Sequence, residues 1–175
     1  LWYGSLPNAA QYAALRAEMA RGRELHPATL ATLTACAPYA EGMDLLRIGA
    51  STLSAGDQSV DSLEIDEARR RAARLQAQMS AIVAHGYRLR AGLPIVAPKP
   101  EHGLAEGFLY MLEGEQPSPA RVAGLNAYLV AVSEHGFNAS TFAGRVILST
   151  NSDMVSALTG AIGALALLEQ FAPAW

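Results

Sequence analysis

Four histidines and one cysteine are the side chains best suited to metal or nucleophilic chemistry: His26, His85, His102, His135 and Cys36. Their spacing supports neither. No two of the histidines share a helix face at a metal-binding separation, and Cys36 has no partner cysteine, so no metal site is expected. There is no glycine-rich phosphate loop and no GxSxG nucleophile elbow. Gly160 and Gly163 lie inside a helical pattern, where they suit close packing. Arg69, Arg70, Arg71 and Arg74 stand beside Glu64, Asp66 and Glu67. That run reads as a solvated, partly ion-paired helix face, with anion binding as the sharper alternative.

The segment Ser133-Glu134-His135-Gly136-Phe137-Asn138-Ala139-Ser140-Thr141-Phe142 carries more information. It sets a histidine at a break between two helices, then a cap residue, then three small or hydroxyl-bearing positions. An imidazole beside the free N–H groups of a helix N-terminus suits an anionic ligand. The same residues also describe a capping junction with a structural histidine.

These residues must be positioned by helices. About one residue in five is alanine, β-branched runs are scarce, and Pro and Gly cluster at intervals. Asn8 caps a helix over 9–21, with Gly22 past its end and Tyr12, Leu15 and Met19 as its apolar stripe. Pro27 opens a second helix through Leu33. Met43, Leu45, Leu46, Ile48 and Leu53 lie on a third that ends near Gly56, followed by a polar loop to Ser62. Asp66 and Glu67 begin the longest helix, which runs to Ala91 with Arg88 and Arg90 at its end. Gly92 to Gly103, with three prolines, is an extended crossing segment. Helices follow over 105–112, from Ser118-Pro119 to Ser133, over 138–149, and from Val155 to Phe171 with Asn151 and Ser152 as caps. The expected fold is all-α, a multi-helix bundle whose first seven residues lie extended against the body. Its expected core is Leu15, Leu46, Leu75, Ile82, Leu109, Leu125, Leu129, Ile147 and Leu158.

Composition bounds the function class. The chain has 175 residues, 51% hydrophobic and 17% charged, which excludes a disordered chain and fits one domain. A net charge of −3 gives no global reason to bind nucleic acid or an anionic membrane. The apolar stretch from Val155 to Leu168 is shorter than the ~18–20 residues of a spanning helix. With no basic leader in Leu1–Pro7 and a single cysteine, a reducing, cytoplasmic setting is expected.

The segment from Glu134 to Phe142 resembles one carried by the citrate synthase family, in its bacterial citrate/2-methylcitrate synthase branch. The resemblance extends in order along the chain. It takes in Leu1-Trp2-Tyr3-Gly4-Ser5-Leu6-Pro7, Gly42-Met43-Asp44-Leu45-Leu46-Arg47, and Phe108-Leu109-Tyr110-Met111-Leu112-Glu113-Gly114. It continues through Ser152-Asp153-Met154-Val155 to Gly160-Ala161-Ile162-Gly163-Ala164-Leu165. Residues 1–165 thus look like the family's large helical domain, and 166–175 read as a divergent tail, weakly similar to the returning helix.

The resemblance implies condensation of oxaloacetate with acetyl-CoA or propionyl-CoA, giving citrate or 2-methylcitrate plus CoA. No metal or redox cofactor is implied, and acyl-CoA is a substrate. His135 matches the family's oxaloacetate-binding histidine, and Asn138 is the second substrate-binding candidate. The family's proton-abstracting aspartate and its two catalytic histidines have no matching position, so no catalytic residue is expected in this chain. The family also implies a homodimer, for which Ala139, Ala143, Gly160, Ala161, Gly163 and Ala164 would allow close helix approach. The alternative is a catalytically inactive, truncated paralogue serving as a helical binding or dimerisation module.

Overall fold

The computed structural model describes residues 3–57, 62, 64–134 and 136–171. Among these the chain forms eight helices and no strand. They are α1 (Ala9–Gly22), α2 (Pro27–Cys36), α3 (Gly42–Ser51), α4 (Ile65–Arg90), α5 (Leu104–Glu113), α6 (Pro119–Ala131), α7 (Ala139–Leu148) and α8 (Met154–Phe171). The all-α expectation holds.

The local signals act where the sequence puts them. Asn8 and Gln11 form a reciprocal capping box at the start of α1, each accepting the other's backbone N–H at 2.9 Å. Ser118 caps α6 with proline behind it, and Gly114 ends α5 in the left-handed conformation, φ 84°. The tertiary frame shifts some ends. Helix α2 runs on to Cys36, with Ala37 as its C-cap, still in the right-handed helical region and donating its N–H to the Leu33 carbonyl. Helix α3 stops at Ser51 rather than near Gly56: the Thr52 hydroxyl bonds the Gly49 carbonyl at 2.7 Å and reaches Thr29 of α2 at 2.9 Å. Helix α8 is capped by Asp153 rather than by Asn151 or Ser152; its carboxylate accepts from the N–H groups of Val155 and Ser156 at 2.8 and 3.0 Å. Asn151 instead makes the turn, at φ 62°.

Helix α4 is the axis, packed against α1, α2, α3 and α5, while α8 joins the body through α3 and pairs with α7. Two glycines permit the closest approaches. A Cβ at Gly49 would meet Ile82 Cγ2 at 2.7 Å, and one at Gly22 would meet the Arg74 backbone at 3.0 Å. The core centres on Leu33, Leu45, Leu75, Ile82, Met111 and Val155. Of the expected core, Leu75, Ile82 and Leu109 are buried and Leu46 and Leu158 pack against it. Leu15, Leu125, Leu129 and Ile147 are only half-buried: α6 and α7 bury no residue fully, and α1 buries only Gly22. The expected domain boundary after residue 165 falls inside α8, which continues to Phe171.

The arginine run divides. Arg69, Arg70 and Arg74 pair with Asp66, Glu67 and Glu18 as a charged face should. Arg71 is buried and bonds Asp57 at 3.1 Å, because it sits on the face of α4 turned to the body. Of the first seven residues, 1–2 lie outside the described residues; residues 3–8 are exposed, Leu6 at 92%, and bend at Gly4, φ 71°, rather than running extended against the body, with the Arg69 guanidinium 4.8 Å from the Tyr3 ring.

Candidate functional site at the α6–α7 junction

Helix α6 ends at Ala131, and the Ser133 hydroxyl bonds back to the Val130 carbonyl at 2.8 Å. Gly136, at φ 90°, takes a conformation that suits glycine and donates its N–H to the Glu134 carboxylate at 2.6 Å. The chain then straightens into Asn138, the N-cap of α7. Asn138 Oδ1 accepts from the Thr141 N–H at 2.8 Å and the Ser140 hydroxyl at 2.7 Å. The positive end of the α7 dipole and two hydroxyl side chains are therefore gathered at the junction. His135 lies outside the described residues.

An aromatic pair closes one side. Phe137 and Phe142 meet edge to face with centroids 6.1 Å apart, and the Arg145 guanidinium lies 5.4 Å from the Phe137 ring centroid. Arg145 escaped the sequence reading. Its one available signal was its place two turns from the cap on the same short helix, which is weak without coordinates. The junction thus offers helix-end N–H groups, hydroxyls and a guanidinium, a set able to hold a carboxylate.

The other histidines are built into the scaffold. His26 Nδ1 caps α2 by accepting from the Ala28 N–H at 3.2 Å. His85 is buried in α4, where burial first and the Arg88 charge second push its pKa down to about 4. His102 is buried edge-on against Tyr110, with centroids 5.1 Å apart. Among the described residues no group of three His, Cys, Asp or Glu side chains is placed to hold a metal ion. Asp153 departs from an ordinary carboxylate: partial burial pushes its pKa up, but the Ser156 hydroxyl and the Ser156 and Val155 amides outweigh it and hold it low.

The small residues named for dimerisation are spent in part inside the molecule. A Cβ on Gly160 would collide with Ile147, and a Cβ on the neighbouring Gly144 would lie 3.5 and 3.6 Å from Ala157 O and Ala161 Cβ, so both glycines seat α7 on α8. Gly163 faces open space.

A family model described as "Citrate synthase, C-terminal domain" matches residues 1–167. The chain belongs to the citrate synthase family. The 2-methylcitrate synthase of Mycobacterium tuberculosis is 41% identical over 165 residues, covering 94% of this chain and 42% of that protein. The crystal structure of citrate synthase from Pyrobaculum aerophilum superposes with a TM-score of 0.88 at 36% identity, over 94% of this chain and 43% of that one. Citrate synthase from Thermoplasma acidophilum, solved as a ternary complex with carboxymethyl coenzyme A and oxaloacetate, superposes at 0.87 with 27% identity, over 94% and 43%. The chain therefore spans less than half the length of these members of the citrate synthase family. No helix among the described residues is long and apolar enough to cross a membrane.

Proposed function

We propose that this chain is the large-domain part of a citrate synthase-type acyltransferase acting in the cytoplasm. It would condense oxaloacetate with acetyl-CoA or propionyl-CoA, without a resident metal or redox cofactor. The family membership over residues 1–167 supports the reaction class. The observation that carries the site is the α7 N-terminus, where Asn138 orders Ser140 and Thr141 beside the position of His135. In this reading His135 and Asn138 belong to the oxaloacetate pocket, and an acidic substrate is drawn to the positive helix end. The 175-residue chain alone turns nothing over, because no position matches the family's aspartate and two catalytic histidines; losing even one general acid or base forfeits ~10²–10⁴-fold in rate.

Association is the second element. Tyr128, Val130, Phe142 and Val146 stand 61%, 74%, 57% and 47% exposed on α6 and α7. Large exposed apolar side chains favour a partner, and in this reading the partner is a second copy of the chain. The same side chains carry the alternative, an inactive helical dimerisation module.

The test is a nuclear magnetic resonance titration of the chain with oxaloacetate, paired with a thiol-release assay. Oxaloacetate should shift the amides of residues 138–141, His135→Ala should abolish the shift, and no thiol should appear from either acyl-CoA. Shifts that avoid α7 altogether would overturn the site. Oxaloacetate-dependent turnover lost in His135→Ala would overturn the assignment of catalysis to absent groups.

A further inference from the structure

The chain has four asparagines, Asn8, Asn126, Asn138 and Asn151. Three are followed by alanine and the last by serine, so each has a small residue on its C-terminal side. An asparagine in that setting can lose its side-chain amide when the next residue's backbone nitrogen attacks Cγ and closes a five-membered ring. The fold decides which of the four is free to do so.

Asn8 and Asn138 are N-caps. Asn8 Oδ1 accepts from the Gln11 N–H at 2.9 Å, and Asn138 Oδ1 from the Thr141 N–H at 2.8 Å and the Ser140 hydroxyl at 2.7 Å. Turning either amide toward the following nitrogen breaks those bonds. Asn126 lies inside α6, where the backbone is helical and the following N–H belongs to the helix ladder.

Asn151 has none of these restraints. It is exposed in the turn between α7 and α8, and among the described residues its side chain has no hydrogen-bond partner. The N–H groups of Thr150 and Asn151 bond back to Ile147 O and Leu148 O, both at 3.1 Å, but the Ser152 N–H, the attacking group, has no acceptor among the described residues. Asn151 is also the only described residue other than glycine at positive φ, 62°, outside any helix.

We propose that Asn151 is a site of covalent modification, the asparagine of this chain that deamidates in the folded state. The Ser152 nitrogen bonds to Asn151 Cγ and gives up its proton, the Cγ–Nδ2 bond breaks, and ammonia leaves with that proton. Water then opens the ring. Opening at one carbonyl yields aspartate. Opening at the other yields isoaspartate, in which the main chain runs through the side chain and gains a methylene. Either product puts a carboxylate two residues before Asp153, whose own carboxylate caps α8. The turn also joins α7, which carries the candidate site, to the helix it packs on, so the modification acts where the two helices are held together. The inference does not rest on the function proposed above.

The test is incubation of the folded 175-residue chain at mildly alkaline pH, which favours loss of the Ser152 amide proton, followed by trypsin and mass spectrometry with isoaspartate detection. Cleavage after Arg145 leaves Asn151 as the one asparagine of its peptide. That asparagine should exchange –NH2 for –OH about tenfold or more faster than Asn8, Asn126 and Asn138, because the restraints on those three add to the barrier. In denaturant the four rates should draw together, since the fold no longer separates them. Asn151→Gly suits the positive φ and should remove the isoaspartate signal from the folded chain. Asn151 reacting no faster than the two caps would overturn the proposal. So would an advantage that persists undiminished in denaturant, because the serine alone would then explain it.

Discussion

The guanidinium of Arg23 occupies the space that a side chain at Gly107 would need. Arg23 is the C-cap of α1 and Gly107 lies in α5, and the arginine is pinned by carbonyl oxygens at Lys99, His102 and Gly103. Gly107→Ala should therefore destabilise the fold by about 1–3 kcal/mol despite the better helix propensity of alanine, because the displaced guanidinium abandons buried acceptors. In an Arg23→Ala background the same change should cost far less. Chemical denaturation of the double-mutant cycle measures the coupling, and additive effects would show that the two sites do not share this space.

His85 makes stability pH-dependent. Its folded-state pKa is pushed down to about 4 by burial and by Arg88, while the unfolded chain takes up a proton near 6.5. Unfolding thus binds a proton that the native state refuses. The penalty is absent above the unfolded value, grows as pH falls between the two, and levels off below the folded value. It should reach roughly 2–4 kcal/mol. Denaturation at stepped pH should show this loss, and His85→Met should flatten its share of the slope.

The fold was legible wherever one short segment decides the outcome. Asn8, Ser118 and Asn138 were readable as caps because the groups they bond lie three residues away. The cap of α8 was not, because Asn151, Ser152 and Asp153 are all competent and only the packing of α8 on α3 and α7 selects among them. Burial of Arg23, Arg71 and His85 was illegible for a related reason. Each depends on a distant residue, Gly107, Asp57 or the elements around α4, and helical periodicity alone does not distinguish an inward arginine from an outward one. At the candidate site the histidine and the cap were visible in sequence. Arg145 was not, because its relation to Phe137 exists only once α7 is formed.

Asp153 provides a test of that capping assignment. Asp153→Ala should cost about 1 kcal/mol, whereas Asn151→Ala and Ser152→Ala should not reproduce a cap loss. The carboxylate also has a pKa held low by its Ser156 and Val155 contacts. Its contribution is present above the unfolded carboxylate value and fades as pH falls through the folded one. Asp153→Asn keeps an acceptor for the amides and should lose mainly that pH-dependent part. Equal losses for alanine and asparagine at neutral pH would mean that the charge, not the cap geometry, does the stabilising.

Under the proposed function Asn138 would have two roles to separate, a cap whose Oδ1 holds the Thr141 amide and the Ser140 hydroxyl, and a substrate contact. Asn138→Ala should destabilise α7 by about 1 kcal/mol and weaken oxaloacetate binding at the same time, which alone decides nothing. Asn138→Asp retains the capping oxygen and adds a negative charge where an anionic substrate would sit. Stability should therefore stay near that of the parent chain while oxaloacetate binding falls by about tenfold or more. Melting curves and an oxaloacetate titration on the same samples check both halves. An Asn138→Asp chain that binds oxaloacetate as well as the parent would place the substrate away from the α7 N-terminus and leave Asn138 as a cap alone.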